Sequence, residues 1–66
     1  MKRKEMIIQA IDVLTMEHGY APSVREIAEY VGLKSASTVK GHLDRLRQAG
    51  RIDFEDDRPR TVRIVS

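Results

Sequence analysis

A mainly α-helical fold, three helices followed by a small two-stranded antiparallel hairpin, is predicted by three features of the sequence. Apolar residues recur at helical spacing in three segments before residue 50. Gly19, Gly32 and Gly50 each follow one of those segments, where a helix stop is needed. After Arg51 the spacing of apolar residues changes from helical to alternating. The 66 residues allow one domain, 1–66. A chain this short buries only roughly 60% of its unfolded surface, which leaves no room for a core and a deep catalytic cleft together.

The first helix is expected from about Arg3 to His18, with Ile7, Ala10, Ile11 and Leu14 as its core stripe and Ile8 on the flank. No Ser, Thr, Asp or Asn caps its start, and Lys2, Arg3 and Lys4 oppose the helix dipole there. Met6, Val13 and Met16 fall on another face. They either pack under the hairpin, lie exposed, or form a self-association patch. The second helix opens with Pro22-Ser23-Val24-Arg25-Glu26, a capping box in which Ser23 is the N-cap and Glu26 the reciprocal partner. Ile27, Ala28 and Val31 give it a buried side, and Gly32 ends it in a left-handed conformation. Leu33 is expected to plug the core at the turn. A connection of about four residues leads to Ser35, the expected N-cap of the third helix. That helix runs to about Ala49 with Val39, Leu43 and Leu46 as its core stripe. Arg51–Glu55 and Thr61–Val65 alternate polar and apolar around the polar stretch Asp56-Asp57-Arg58-Pro59-Arg60, which reads as a hairpin. Ile52, Phe54, Val62 and Ile64 are expected to face the helices. Three helices and then a hairpin is the order of a winged helix-turn-helix, with the helix-turn-helix at about 24–44 and the wing at about 51–65.

Composition excludes several function classes. There are no cysteines, so no disulfide and no thiolate metal site. No apolar run approaches the ~20 residues of a membrane span. The basic Met1-Lys2-Arg3-Lys4 start is followed by Glu5, Gln9 and Asp12, which argues against a signal peptide and for a cytoplasmic protein. Net charge is +2. From Lys34 onward eight Lys and Arg stand against five Asp and Glu, a distribution that points weakly to nucleic acid. Neither His18 nor His42 has clustered partners, no nucleophile has a base in pattern, and no phosphate-cradling glycine loop is present, so no enzyme is expected. Nothing calls for a cofactor, a metal or a small-molecule ligand.

In a helix-turn-helix the second helix of the unit enters the major groove and its N-terminal residues reach base edges. At 100° per residue, the face opposite Val39 holds Ser37, Gly41 and Gln48, flanked by Thr38, Asp44 and Arg45, with Lys40 at the side. Ser37 and Thr38 suit base edges, and the Thr38 methyl suits a thymine methyl. Lys40 suits a guanine or a phosphate. Gly41 costs ~1 kcal/mol relative to alanine inside a helix, and its missing side chain permits close approach to DNA. The base-reading set is therefore Ser37, Thr38, Lys40 and Gly41. For phosphates the candidates are Ser23 with the free amides of its helix start, Arg25, Lys34, Ser35 and His42, with Arg58 and Arg60 at the wing tip. Glu55, Asp56 and Asp57 would repel phosphates there.

These residues resemble a known family. Tyr20-Ala21-Pro22-Ser23-Val24-Arg25-Glu26-Ile27, Val31-Gly32-Leu33 and Ser37-Thr38-Val39-Lys40-Gly41-His42-Leu43 look like the N-terminal domain of the LexA repressor, most of all its Gram-positive form. Pro59-Arg60-Thr61-Val62 resembles that family's wing. The resemblance implies a bacterial transcriptional repressor that binds palindromic operators on double-stranded DNA as a dimer and responds to DNA damage. Its recognition positions map onto Ser37, Thr38, Lys40 and Gly41, with Ser35 and Lys34 nearby. Full-length members carry a self-cleaving C-terminal domain that has no counterpart in these 66 residues, so only weak homodimerisation on DNA is expected. The start departs from the family's capped Leu-Thr-x-Arg-Gln-like segment. The other reading is a winged-helix module, or a short phage-type regulator, that acts through a protein partner. The acidic wing and low net charge motivate it.

Overall fold

In the computed structural model, which describes residues 2–65, the order is α1 (Arg3–His18), α2 (Val24–Val31), α3 (Ala36–Gln48), β1 (Ile52–Asp53) and β2 (Arg63–Ile64). This is a winged helix-turn-helix. Helix α1 buries Ile7, Ala10, Ile11 and Leu14, and Lys2 at its N-cap supplies no side-chain hydrogen bond. Helix α2 is held at both ends by its own sequence. The Ser23 hydroxyl accepts from the Glu26 amide (3.1 Å) and a Glu26 carboxylate oxygen accepts from the Ser23 amide (2.8 Å). At the other end Gly32 takes φ 77°, which a side chain would strain, and the Leu33 amide donates back to the Ala28 carbonyl (2.9 Å). Residues 32–35 then turn the chain into α3, where the Ser35 hydroxyl accepts from the Thr38 amide at 3.4 Å.

Helix α2 packs against both α1 and α3, and the hairpin closes the far side against α1 and α3. The core is one cluster: Ile7, Ala10, Ile11 and Leu14 from α1, Ile27 and Ala28 from α2, Val39, Leu43 and Leu46 from α3, and Ile52 and Val62 from the wing. Leu33 packs against its edge, as the sequence predicts.

Two expectations about the wing need correction. The strands are two residues each, paired antiparallel as Ile52 with Ile64 and Asp53 with Arg63. The ladder stops early because the Glu55 amide, the next donor that this register turns towards the opposite strand, goes to the Thr61 hydroxyl (2.9 Å) and not to the Thr61 carbonyl. Ile64 does not face the helices as a core residue and is 42% exposed. Phe54 faces α3 as expected, partly buried at the edge of the core. Beyond the ladder Thr61 holds the loop closed. Its hydroxyl accepts from the Glu55 amide (2.9 Å) and donates to the Arg58 carbonyl (3.1 Å).

Arg60 is also displaced from its expected place at the wing tip. Its backbone sits at φ 58°, a left-handed conformation uncommon for a residue with a side chain. That turn sends the guanidinium back across the domain, where Nη1 donates to Glu26 Oε1 (2.7 Å) and to the Ala21 carbonyl (3.4 Å). The guanidinium also lies 5.0 Å from the Tyr20 ring centre, and Tyr20 stacks on His18. Glu26 therefore joins the start of α2 to the wing. The Ser23 amide, and after it Arg60, hold the Glu26 carboxyl below its ordinary pKa of 4.5.

Two outcomes follow from this packing. Because the folded state lowers the Glu26 pKa, its contribution to stability is complete above pH 4.5 and is lost as pH falls through the lower folded value. Glu26→Gln should lower the urea midpoint at neutral pH and make its decline below that pH shallower; an identical acid decline would place the effect on another carboxylate. Ile27→Ala should cost about 2–5 kcal/mol, because Ile27 is fully buried between two helices. Domains of this size hold roughly 3–10 kcal/mol in total, so circular dichroism should show a large fall in melting temperature or a chain already unfolded at 25 °C.

Candidate nucleic-acid interface

The core stripe of α3 is Val39, Leu43 and Leu46, all buried, so the opposite side of the helix faces solvent. Ser37 and Thr38 are exposed in its first turn. Gly41 lies one turn further on the same side. Its backbone is ordinary right-handed helix, and a Cβ built there would meet nothing within 4 Å. No turn, crossing or close contact inside the protein requires a glycine at this position. The result is a shallow strip along the first two turns, bordered by the small side chains of Ala36 and Ser37.

Lys40 is not free beside this strip. It leans towards the wing, with Nζ 3.6 Å from Asp44 Oδ1, 3.6 Å from Asp56 Oδ1 and 4.1 Å from the Phe54 ring centre. Arg47, two turns along the same flank, joins it. Its Nη1 donates to Asp56 Oδ1 (3.1 Å) and to the Phe54 carbonyl (3.2 Å), and its guanidinium lies 4.0 Å from the same ring. The wing acid Asp56 is thus used internally, against two cations of α3. The Lys40 and Asp56 side chains are 41% and 63% exposed. Exposed pairs contribute roughly 0–1 kcal/mol, so this cluster restrains Lys40 without locking it. Sequence reasoning placed Lys40 on DNA and missed Asp44, Arg47, Phe54 and Asp56. Lys40, Asp44 and Arg47 fall on one helical flank, and a signal for the cluster lay in that spacing together with an aromatic and an acid at the start of the wing.

The phosphate candidates separate into distinct places. Ser23 is half-buried and its hydroxyl is spent on the cap, which leaves the Val24 and Arg25 amides as first-turn donors without an intrahelical partner. Arg25 and Lys34 are exposed, and among the described residues neither has a carboxylate within 4.0 Å. Ser35 caps α3. Arg58 is 74% exposed at the far end of the wing, 4.0 Å from Glu55. Arg25, Lys40, Arg58 and Arg60 all border one open groove of about 460 Å³ between the wing and the two helices of the helix-turn-helix.

His42 lies apart from them, on the flank of α3 turned away from the wing. Its ring is half-buried, and Nδ1 is enclosed without a hydrogen-bond partner among the described residues. Burial, and then the Arg45, Arg3 and Lys4 charges, hold its pKa below the usual histidine value. The neutral ring is favoured, which removes the positive charge that a phosphate contact at His42 would use.

Among the described residues no group of three or more His, Cys, Asp or Glu could hold a metal ion, and no helix is long and apolar enough to cross a membrane. Residues 1–61 match the LexA DNA binding domain family. The LexA repressor of Staphylococcus epidermidis is 49% identical over 65 residues, covering 98% of this chain and 32% of the relative. The LexA repressor of Caldicellulosiruptor saccharolyticus is 48% identical over 64 residues, covering 97% of this chain and 32% of the relative. That of Bacillus mycoides is 47% identical over 64 residues, covering 97% and 31%. The chain spans about a third of the length of these curated relatives. An exposed strip on α3 with a glycine the fold does not need, and a family match over residues 1–61, lead to one assignment: this chain belongs to the LexA DNA-binding domain family.

Proposed function

We propose that the chain binds duplex DNA in a sequence-specific way as the operator-reading part of a LexA-type transcriptional repressor, working in the cytoplasm, with α3 in the major groove of one half-site. The observation that carries this reading is Gly41. It sits mid-helix at a cost of ~1 kcal/mol, and nothing inside the protein asks for it. A surface brought against α3 from outside supplies the reason. Ser37 and Thr38 read base edges in the first turn, and the bare backbone at Gly41 lets the helix sit deep enough for them to do so. Lys40 joins them on release from Asp56. The Val24 and Arg25 amides at the start of α2, the Arg25 side chain, Lys34 and Ser35 hold phosphates on the turn side, and Arg58 does so from the wing. Arg60 acts differently, by fixing the wing against α2. A palindromic operator presents two half-sites about one DNA turn apart, and two copies of the domain associate weakly on it.

Anisotropy titrations against a palindromic LexA-type operator and a scrambled duplex, over a series of salt concentrations, test this. The operator should bind more tightly at every salt concentration; equal affinities throughout would remove sequence-specific readout. Gly41→Glu should abolish operator binding while leaving helicity intact, since its side chain meets open space in the protein and phosphates or bases in the complex. Undiminished binding by that variant would show that α3 docks through another face. Asp56→Asn leaves Lys40 with Asp44 alone and should tighten binding to both duplexes. Unchanged affinity for both would mean that the contact with Asp56 does not hold Lys40 back from DNA.

A further inference from the structure

The two flanks of α3 differ in how their cations are satisfied. On the wing side Lys40 and Arg47 face Asp44 and Asp56. On the α1 side, among the described residues, Arg3, Lys4 and Arg45 have no carboxylate within 4.0 Å. All three are exposed. At 100° per residue, Arg3 and Lys4 lie about 40° and 60° either side of the Ile7 direction, on the half of α1 turned towards the rest of the domain. Glu5, the acid in that first turn, lies about 160° away and points outward. On α3, His42 and Arg45 are one turn apart on the same flank, and α1 packs against α3. The Arg3, Lys4 and Arg45 charges all act on the His42 ring. The α1 start is uncapped, so its first-turn amides add to the same positive field. Cations at a helix N-terminus oppose the dipole, and Glu5 is the one acid in that first turn. Local rules broken without internal compensation mark functional positions.

We propose that Arg3, Lys4 and Arg45 form a second phosphate-binding ridge, which grips the backbone at the edge of the major groove on the α1 side of the recognition helix. The inference rests on the DNA-binding reading above and adds a contact surface to it. The helix-turn-helix turn and the wing hold the domain from one side, and the ridge holds it from the other. The ridge touches only phosphates, so it contributes affinity and register and carries no sequence information.

The test is the salt dependence of binding. Arg3→Gln/Lys4→Gln/Arg45→Gln should reduce the slope of log K against log salt by about 2–3 units, at about 0.9 per phosphate contact. The ratio of operator to scrambled affinity should stay within about two-fold. Arg63→Gln, on β2 where Arg63 pairs with Asp53, should leave the slope unchanged. Circular dichroism checks folding, and Arg45→Gln alone, expected to lose about 0.9 unit, covers the case in which the triple variant fails to fold. An unchanged slope in the folded variants overturns the ridge, as does a lost operator preference at unchanged slope. If the wild-type chain binds neither duplex, the DNA reading itself falls and the ridge with it. That result differs from a wild type that discriminates and variants that bind just as it does.

Discussion

The burial of Ile27 and Ala28 between α1 and α3 is the contact on which the rest of the molecule depends. Helix α2 has eight residues, too few to be stable alone in water. It is held by one apolar side, by a reciprocal cap at Ser23 and Glu26, and by the left-handed turn at Gly32. Its position against α3 in turn decides which side of α3 is free. Val39, Leu43 and Leu46 are drawn into the shared core, and Ser37 and Gly41 are left outside. The solvent-facing strip of α3 is therefore a consequence of how a very short helix is buried.

The wing is fastened to this unit at two points, both by ion pairs to its helices. Arg60 reaches Glu26 at the start of α2, and Asp56 reaches Lys40 and Arg47 on α3. A ladder of only two residue pairs would leave a hairpin marginal by itself. Ile52 and Val62 supply its apolar anchor and the ion pairs fix its angle. This changes the meaning of the acidic stretch 55–57. Read as free charges, these acids oppose DNA. Asp56 is instead paired in place with Lys40 and Arg47 of α3.

Much of this was legible from local rules. The three helices, their stops and the capping box follow from periodicity and from residue types whose effects act within four positions. Val39, Leu43 and Leu46 were readable as core for the same reason. The errors all involve contacts distant in sequence. Alternation predicted long strands, but the Thr61 hydroxyl, from the other side of the loop, takes the Glu55 amide and ends the ladder. Ile64 alternates correctly and still lies exposed, because no element among the described residues covers it. Arg60 looked like a tip residue because nothing near it in sequence shows that Glu26, 34 positions away, receives it. Lys40 looked free because Asp56 comes from the wing. Helical periodicity assigns faces well, but the partner of a long flexible cation is set only when the tertiary structure forms.

Two departures from good local chemistry remain inside the correctly read helices. Gly41 weakens the middle of α3, and Lys2, Arg3 and Lys4 crowd the uncapped start of α1. A small core leaves little stability to spare, so each needs a source of compensation. Neither finds one within the fold: the space above Gly41 is empty, and no described carboxylate approaches Arg3 or Lys4. Both also border the solvent-facing side of α3, one at its centre and one along its α1 flank. A polyanion of constant width meets both requirements at once, because its groove floor needs the missing side chain and its backbone needs the unpaired charge. A protein partner could use a bare helix face, but it would have no general reason to require a ridge of cations beside it. The joint placement of the two departures therefore favours duplex DNA over a protein as the surface that α3 is shaped to meet.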